Sequence, residues 1–282
     1  MAQKTRLDQH LLTLGLAPTR QQAQQLIRAG KVRDSSGLLL DKPGLQVKPD
    51  LAVRVEQPPR FVSRGGEKLL GALNAFPIPV EGRVCLDGGI STGGFTDCLL
   101  QHGASKVYGV DVGYGQTAWR LRTDPRVVLR ERTNLRRLSP EDLYQPEDAR
   151  PDLAVADVSF ISLGLVMPAI KGLLSPHGSE ALLLVKPQFE VGRDRVGKGG
   201  VVRDPEAHCD ALRGVVEAAE PLGWTAYGVV GSPITGPAGN HEYLLWLRSS
   251  GPQLTCTDQS GSASVGVVTD DDIVRVVDAT LT

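Results

Sequence analysis

The chain has 282 residues and a net charge of −1, with 41% hydrophobic and 22% charged residues. These ordinary values predict one large or two modest soluble domains that can bury a core. The apolar stretches fall short of the roughly 20 residues that span a bilayer, and residues 1–10 are too polar for a signal peptide. The four cysteines are scattered, which argues against a metal site and fits a reducing cytoplasm.

Charge is distributed unevenly along the chain. Residues 1–68 carry twelve lysines and arginines against six aspartates and glutamates, a net charge of +6 that leaves −7 for the remainder. A basic N-terminal segment in a nearly neutral protein indicates a polyanionic partner, although a merely solvated basic face would have the same composition.

The first sixty residues are predicted to form a small α+β domain. Helices are expected over 6–14 and 20–29, with Thr19 as the N-cap of the second helix and Gly30 at its end, and short strands within 31–33 and 47–55. Basic side chains gather on the second helix and the strand after it, an arrangement that suits phosphate contacts on folded RNA.

Three motifs in this segment resemble the αL RNA-binding motif of a small-subunit ribosomal protein and of pseudouridine synthases. They are Arg6-Leu-Asp8, Thr19-Arg-Gln-Gln-Ala23 and Leu26-Ile-Arg-Ala-Gly-Lys-Val32. The resemblance implies an S-four-like RNA-binding domain over 1–56. Its expected RNA contacts are Arg6, Arg20, Arg28, Lys31 and Arg33.

Residues 57–63 are predicted to be a linker, because the consecutive prolines at its start exclude helix. From residue 64 to residue 250 a second domain is expected, with an apolar helix over 69–76 and then alternating strands and helices. The predicted strands are 84–86, 106–110, 127–130, 153–156, 181–185, 225–230 and 242–247, and the predicted helices include 96–102, 163–174 and 205–220. This alternation predicts a parallel α/β sheet with covering helices.

The chain ends on a strand pair and an acidic tail. A strand pair in place of a sixth βα unit is the hallmark of S-adenosylmethionine-dependent methyltransferases, whose seventh strand is inserted antiparallel. The predicted fold is therefore a Rossmann-like, seven-stranded class I methyltransferase sheet. Residues 251–282 hold one arginine and five aspartates and are expected to be a flexible acidic tail, with at most a short helix near 270–277.

A glycine-rich stretch follows the first strand of this sheet and predicts a loop for a nucleotide-type cofactor. Glycines let the backbone approach a ligand closely, and the helix that follows offers free N–H groups. The loop starts with an aspartate, which suits the cationic amino end of S-adenosylmethionine better than a pyrophosphate, and the chain lacks the P-loop pattern of nucleoside triphosphate sites. S-adenosylmethionine is therefore preferred to NAD. A structural helix-cap role for Asp87 is the alternative.

The cofactor-binding candidates lie at the ends of the first four strands. Asp111 can accept hydrogen bonds from a ribose diol, and Asn134 is the candidate for the adenine edge. The full set is Asp87, Gly89, Ser91, Thr92, Gly93, Gly94, Phe95, Asp111, Val112, Asn134 and Asp157.

The residues after the fourth and fifth strands limit which kind of atom can accept the methyl group. Asp157-Val-Ser-Phe160 lacks the prolines that amino-group methyltransferases place there, and neither Cys85 nor Cys98 precedes a proline as in cytosine-C5 enzymes. Pro187 restricts Lys186 to extended geometry, so its side chain should leave the sheet edge in a fixed direction. A hydroxyl acceptor with a lysine base is the reaction that this pattern indicates.

Lys68, which by its local sequence alone reads as a surface lysine, completes a wider resemblance. Lys68, Asp157, Lys186 and Glu242 match the Lys-Asp-Lys-Glu tetrad of FtsJ-type RNA 2′-O-methyltransferases in order and context. The whole chain to about residue 248 resembles the TlyA family. The matching motifs are Ser63-Arg-Gly-Gly-Glu-Lys-Leu69, Asp87 through Phe95, Val110-Asp-Val-Gly-Tyr-Gly-Gln116, Asp157-Val-Ser-Phe-Ile-Ser162, Lys186-Pro-Gln-Phe-Glu190, Gly199-Gly-Val-Val-Arg203 and Gly239-Asn-His-Glu-Tyr243.

The resemblance implies a methyltransferase that modifies the 2′-hydroxyl of cytidine in ribosomal RNA of the small subunit, the large subunit or both. Lys186 would act as base or polariser. Further RNA contacts are expected from Arg64, Arg193, Arg195, Lys198 and Arg203, although the last four could equally belong to a disordered loop. The expected partners are ribosomal RNA and ribosomal subunits, with no membrane and no obligate protein partner, and the expected location is the cytoplasm.

Two other functions remain open. The family also carries the name hemolysin, and a membrane-lysing protein would need an amphipathic or spanning segment, which is not apparent. A non-catalytic ribosome-assembly factor would have a degenerate cofactor pocket, against which the intact Asp87 loop and the tetrad argue.

Overall fold

The computed structural model describes residues 4–56, 59–176, 178–249 and 266–282. The chain divides into two compact units, Met1–Arg60 and Phe61–Thr282.

The N-terminal unit has two helices and two small antiparallel sheets, in which β1 pairs with β3 and β2 with β4. The Thr19 hydroxyl accepts a hydrogen bond from the Gln22 N–H at 3.2 Å, and Gly30 takes a φ of +69°, so both predicted helix ends are confirmed. Leu7, Leu11 and Ile27 are fully buried in its core. Its elements are β1 (Thr5–Arg6), α1 (Leu7–Thr13), α2 (Arg20–Arg28), β2 (Val32–Asp34), β3 (Gln46–Val47) and β4 (Val53–Val55).

The second unit contains a seven-stranded sheet in the order β10-β11-β9-β8-β5-β6-β7. Strands β5 to β9 are parallel, and the last strand, β11, lies antiparallel between β9 and β10. The predicted methyltransferase-type sheet is confirmed. The strands are β5 (Val84–Gly88), β6 (Lys106–Val110), β7 (Val127–Arg130), β8 (Leu153–Ala156), β9 (Glu180–Val185), β10 (Trp224–Gly231) and β11 (Tyr243–Ser249).

Helices cover both faces of this sheet, because its central strands are apolar on both sides. In β9, Leu183 belongs to the core under the helices Leu163–Leu173 and Pro205–Ala219, whereas Leu182 and Leu184 belong to the core under the helices Gly65–Ala75 and Gly94–Gln101. The helices are α3 (Gly65–Ala75), α4 (Gly94–Gln101), α5 (Trp119–Arg122), α6 (Pro140–Leu143), α7 (Leu163–Leu173), α8 (Pro187–Glu190), α9 (Pro205–Ala219) and α10 (Asp270–Leu281), with 3₁₀ turns at Leu135–Arg137, Arg193–Arg195 and Glu220–Leu222.

The predicted linker 57–63 extends too far. Gln57 and Pro58 lie outside the described residues, but Phe61 is 2% exposed in the core of the second unit. Its ring lies over Gly66, where an added Cβ would come within 2.2 Å of the ring. Because this contact needs a glycine inside the first helical turn, α3 starts at Gly65, four residues before the predicted start.

The expectation of a flexible acidic tail is wrong for its second half. Helix α10 packs on α9 and β10, with Ile273 and Val277 buried in the core. The acidic first turn is stabilised by the helix N-terminus, by the Thr269–Asp272 capping box and by Arg213, which binds Asp270. Residues 251–265 lie outside the described residues.

Candidate active site

Four ionisable side chains that are distant in sequence meet at the carboxyl edge of the sheet. Lys68 lies in the first turns of α3, Asp157 follows β8, Lys186 follows β9, and Glu242 immediately precedes β11. Because β8 and β9 are parallel neighbours, their carboxyl ends meet at one edge, and the antiparallel β11 starts at that same edge. The sheet therefore assembles the predicted tetrad.

The tetrad is a chain of alternating charges. Lys186 Nζ lies 2.6 Å from Asp157 Oδ1, and Lys68 Nζ lies 2.5 Å from Glu242 Oε2 and 3.9 Å from Asp157 Oδ2. The side chain of Glu242 is 2% exposed and those of both lysines are 9% exposed, whereas that of Asp157 is 24% exposed. Paired charges are tolerated at this depth because each has a partner. Asp157 is the most accessible member of the tetrad.

Two residues beside the tetrad were not among the predicted site residues. Lys186 Nζ donates to Ser159 Oγ at 2.8 Å, so the ammonium group is held between a hydroxyl and a carboxylate. Phe160 takes a φ of +64° and is 91% exposed, and its ring centroid lies 5.2 Å from that of Phe189. A bulky residue with positive φ is unusual. Both residues lie in the family motif Asp157–Ser162, and this position beside Asp157 is the sequence signal that could have identified them as site residues.

The loop between β5 and α4 requires glycine for steric reasons. Gly89 has a φ of +87°, and an added Cβ would lie 2.7 Å from the Asp157 carbonyl oxygen. Gly93 has a φ of +96°, and an added Cβ would lie 2.2 Å from Leu121. At Gly94 an added Cβ would meet Ser63 Oγ at 2.4 Å. These glycines let the loop pack against the Asp157 segment, against Leu121 and against the start of α3.

Two adjoining cavities share Gly89, Ser91 and Asp157. The larger, of about 510 Å³, contains most of the predicted cofactor-binding residues after β6, β7 and β8. The smaller, of about 210 Å³, contains the loop residues together with Lys68 and Arg64. The predicted residues in the larger cavity are Gly89, Ser91, Asp111, Val112, Asn134 and Asp157, and those in the smaller are Gly89, Ser91, Thr92, Gly94, Phe95 and Asp157.

Asp111 is fixed by backbone donors at the larger cavity. Its Oδ2 accepts from the Ser91 N–H at 2.7 Å and its Oδ1 from the Gly113 N–H at 2.6 Å. A carboxylate has further lone pairs, so the side chain can still accept hydrogen bonds from a diol. The side-chain oxygen Oδ1 of Asn134 accepts a hydrogen bond from the Arg136 N–H at 3.1 Å. Its side-chain NH₂ group is left to donate to the edge of a ligand.

Asp87 does not reach either cavity, although it was predicted to bind the cofactor. It has no exposed surface and lines neither cavity; Oδ2 accepts the Thr96 hydroxyl at 2.6 Å, and Oδ1 has no partner. Burial raises the pKa of this carboxyl to about 7. The side chain turns under α4, so its alternative role as a structural acceptor for the first turn of that helix describes it better than direct contact with a ligand. Gly93 likewise lines neither cavity.

The predicted RNA-binding residues are not equally available. In the N-terminal unit the buried Asp8 accepts hydrogen bonds from Arg6 and from Arg20 at 3.0 and 3.1 Å, and Arg33 pairs with Glu56 at 2.5 Å. The Arg6 guanidinium holds the pKa of Asp8 well below its usual range. Arg28 is exposed and Lys31 is half-buried.

In the second unit, Arg195 forms ion pairs with Asp204 and Asp210 at 2.9 and 2.5 Å. These ion pairs tie the segment 192–203 to α9, and the RNA contact of Arg195 stays a prediction. Arg64, Arg193, Lys198 and Arg203 are exposed and have no ion-pair partner in the described part of the chain.

Comparison with known proteins identifies the family. A family profile described as FtsJ-like methyltransferase matches residues 61–249, and one described as S4 domain matches residues 5–33. The chain is 51% identical over 265 residues to the 16S/23S rRNA (cytidine-2′-O)-methyltransferase TlyA of Mycobacterium tuberculosis, which covers 93% of this chain and 94% of that protein. The chain belongs to the TlyA family of FtsJ-like methyltransferases.

Other relatives in the TlyA family carry a different name. Hemolysin A of Brachyspira hyodysenteriae is 40% identical, covering 85% of this chain and 98% of that protein. A solved structure from Streptococcus thermophilus, also given a hemolysin name, matches with a TM-score of 0.70 at 38% identity, covering 99% of this chain and 96% of that chain. Within the described ranges of this chain, no helix combines the length and the apolar character needed to cross a membrane.

Membership of the TlyA family confirms the predicted fold, the methyltransferase class and S-adenosylmethionine as the methyl donor. The larger cavity fits that cofactor in kind, since Asp111 offers acceptors for ribose hydroxyls and Val112, Leu135 and Ile161 offer apolar walls. Its volume lies in the range of roughly 300–1,000 Å³ that is usual for small-molecule sites.

Proposed function

We propose that this protein methylates the 2′-hydroxyl of a cytidine ribose in ribosomal RNA, of the small subunit, the large subunit or both. The observation that carries the proposal is the ion pair of Lys186 with Asp157, because Asp157 also lines the cofactor cavity. A base beside a methyl donor is what a hydroxyl acceptor requires. The name of the Mycobacterium tuberculosis relative supports cytidine and both subunits.

The roles within the tetrad follow from its contacts. When bound, S-adenosylmethionine supplies an electrophilic methyl group. As a neutral amine, Lys186 accepts the proton of the ribose hydroxyl, and as an ammonium group it polarises that hydroxyl. Asp157 and Ser159 fix the direction of Lys186 Nζ. The deeply buried pair of Lys68 and Glu242 holds Asp157 from the other side, since Lys68 Nζ also lies 3.9 Å from the Asp157 carboxylate.

Two general effects contribute to the rate. Holding donor and acceptor in line is worth up to ~7–11 kcal/mol of the barrier in favourable cases, and general acid–base catalysis adds roughly 10²–10⁴-fold. The tetrad provides the acid–base catalysis. The cavities and the basic RNA-binding surfaces hold donor and acceptor in line.

Replacement of Lys186 tests this assignment. For Lys186→Ala we expect kcat for methyl transfer to ribosomal RNA to fall by roughly 10²–10⁴-fold. Because Lys186 lines neither cavity, the dissociation constant for S-adenosylmethionine, measured by calorimetry, should be unchanged. Transfer of tritiated methyl groups to ribosomal subunits measures kcat.

Lys106→Ala is the matched control, because Lys106 also pairs with an aspartate, Asp148 at 2.7 Å. Lys106 is the first residue of β6, so it lies at the amino end of its strand, whereas Lys186 follows the carboxyl end of β9. The Lys106→Ala variant should keep wild-type activity. Full activity of Lys186→Ala would contradict the role of base.

Ribosomal RNA is proposed as the partner and the cytoplasm as the location. Mapping of ribose methylation in ribosomes from cells with and without the gene tests the substrate and names the nucleotide. The hemolysin alternative would be supported if deletion of the gene left every ribose methylation in place and the purified protein released dye from liposomes.

A further inference from the structure

A line of buried polar residues lies beside Glu242 and holds a loop that carries free cations. The loop, here called the glycine loop, comprises Gly197 to Arg203. The polar residues are Asn240 at 2% exposure, His208 at 0% and Tyr243 at 0%. Buried polar groups are costly unless hydrogen-bonded, and each of these three side chains has a hydrogen-bond partner.

Asn240 makes two hydrogen bonds to the backbone of the glycine loop. Its Oδ1 accepts from the Val202 N–H at 3.0 Å, and its Nδ2 donates to the Gly200 carbonyl at 2.8 Å. Gly199 and Gly200 have φ values of +80° and +76°, so this stretch has a conformation that few other residues adopt. The amide of Asn240 therefore selects one conformation of a stretch that has high intrinsic freedom.

His208 secures the same loop from α9. Its Nε2 lies 3.1 Å from the Val202 carbonyl, and its Nδ1 lies 2.9 Å from the Tyr243 hydroxyl. Burial lowers the pKa of His208, so the ring is neutral near pH 7. Since a carbonyl only accepts, Nε2 carries the proton and Nδ1 accepts from Tyr243.

Asn240 also reaches the tetrad. Its backbone carbonyl accepts from the Gly236 N–H at 2.9 Å, which closes a turn against Glu242. At Gly236 an added Cβ would lie 2.6 Å from Glu242 Oε1. Asn240 thus binds the glycine loop through its side chain and, through its backbone, the turn that packs on the innermost carboxylate of the site.

The glycine loop presents two exposed cations, Lys198 and Arg203, neither of which has an ion-pair partner in the described part of the chain. The neighbouring Arg195 forms ion pairs with Asp204 and Asp210, which tie the chain just before the glycine loop to the start of α9. Asn240 and His208 therefore hold the backbone of the glycine loop, while the charges of Lys198 and Arg203 stay unpaired among the described residues.

We propose that Asn240 is a positioning residue that fixes Lys198 and Arg203 against the phosphate backbone of the RNA, so that the target ribose enters beside Lys186. This inference rests on the proposed function. Phosphate contacts fix the register of a nucleic acid without reading its sequence, and an immobile contact binds better because less conformational entropy is lost.

The test compares Asn240→Ala with wild type in the full-length protein. We expect KM for ribosomal subunits to rise by about tenfold, as the loss of two hydrogen bonds to one loop would give. At saturating RNA, kcat should stay within about twofold and the dissociation constant for S-adenosylmethionine should be unchanged, because the tetrad and the cavities remain. Asn74→Ala, at an exposed position of α3, is the matched control and should change none of these values.

A double-mutant cycle isolates the role of the loop. Once Lys198 and Arg203 are both alanine, Asn240→Ala should raise KM little further, since the charges that it positions are gone. Additive effects would overturn the inference, as would a kcat loss in Asn240→Ala at unchanged KM. If Asn240→Ala fails to fold, the exposed pair decides: the double variant Lys198→Ala with Arg203→Ala should raise KM for ribosomal subunits at unchanged kcat, and an unchanged KM would overturn the inference.

Failure of the proposed function is distinguishable from failure of this inference. If the wild-type protein transfers no methyl group to ribosomal RNA, the proposed function is wrong. Fluorescence anisotropy with a ribosomal RNA fragment then still tests the inference, because Asn240→Ala should weaken RNA binding about tenfold and Asn74→Ala should not.

Discussion

Asp87 and Asp157 end neighbouring strands of one sheet, yet they are suited to different tasks. Asp157 reaches both cavities and binds two lysines. Asp87 is fully buried with one hydroxyl donor and one unpartnered oxygen, and its pKa is raised to about 7 by burial. A carboxylate with cationic partners stays charged, whereas one without them favours its neutral form. Burial without a cationic partner therefore favours the neutral form of Asp87.

The raised pKa of Asp87 predicts a specific pH dependence of stability. The unfolded chain loses this proton near pH 4 and the folded chain near pH 7, so the free energy of unfolding falls as pH rises through this window. Asp87→Asn should remove this loss and stabilise the protein at pH 8 by up to about 4 kcal/mol, with no gain at pH 4. Urea unfolding between pH 4 and pH 8 measures it. An unchanged pH slope in the variant would show that Asp87 is charged in the folded state throughout.

Helix α10 shows how an acidic segment becomes part of the core. Its first turn concentrates three aspartates at the helix N-terminus, where negative charge is favourable, while Ile273 and Val277 lie one turn apart on the face that packs on α9 and β10. The acidic composition and the apolar contact therefore belong to different faces of one helix.

Removal of two methyl groups from this contact tests its contribution. Val277 is fully buried, so Val277→Ala should lower the free energy of unfolding by about 2 kcal/mol through lost burial and a residual cavity. Val274→Ala is the matched control on the same helix, because Val274 is 38% exposed and should cost little. Chemical denaturation measures both. Equal effects of the two substitutions would mean that α10 is not packed in solution.

At the scale of the whole molecule, the surplus of basic residues and the candidate active site lie in different units. The N-terminal unit supplies most of the basic surplus, and the tetrad and both cavities lie wholly in the second unit. RNA affinity and its salt dependence should therefore respond to changes in the first unit without any change in cofactor affinity.

Arg28 offers a direct test, because it is exposed on α2 and has no ion-pair partner among the described residues. Arg28→Ala should weaken binding of ribosomal RNA and reduce the slope of log affinity against log salt by about one. Arg126→Ala removes an exposed arginine that already pairs with Asp124 and is the control. Calorimetric affinity for S-adenosylmethionine should match wild type in both. A salt slope that Arg28→Ala leaves unchanged would contradict an RNA contact there.

Much of the fold was predictable because its signals are local. The continuous apolar run in β9 indicates a strand buried on both faces, and Thr19 and Gly30 mark the ends of α2 by capping chemistry alone. The start of α3 was not predictable in this way. Glycines are poor helix formers, so the predicted helix began after them, whereas the ring of Phe61 packs where Gly66 has no side chain.

Local sequence patterns predicted the succession of strands and helices and the glycine-rich stretch after β5, and the family resemblance added the four members of the tetrad. Tertiary structure decided which groups touch. Lys68, which its own neighbours mark as a surface lysine, binds Glu242 across 174 positions of sequence, and Asp87 turns under a helix instead of into a cavity. The physical reason is that propensity and capping act within a few residues, whereas ion pairing and burial depend on sheet order, and here the antiparallel insertion of β11 beside β9 brings Glu242 to the edge where Lys186 and Asp157 already lie.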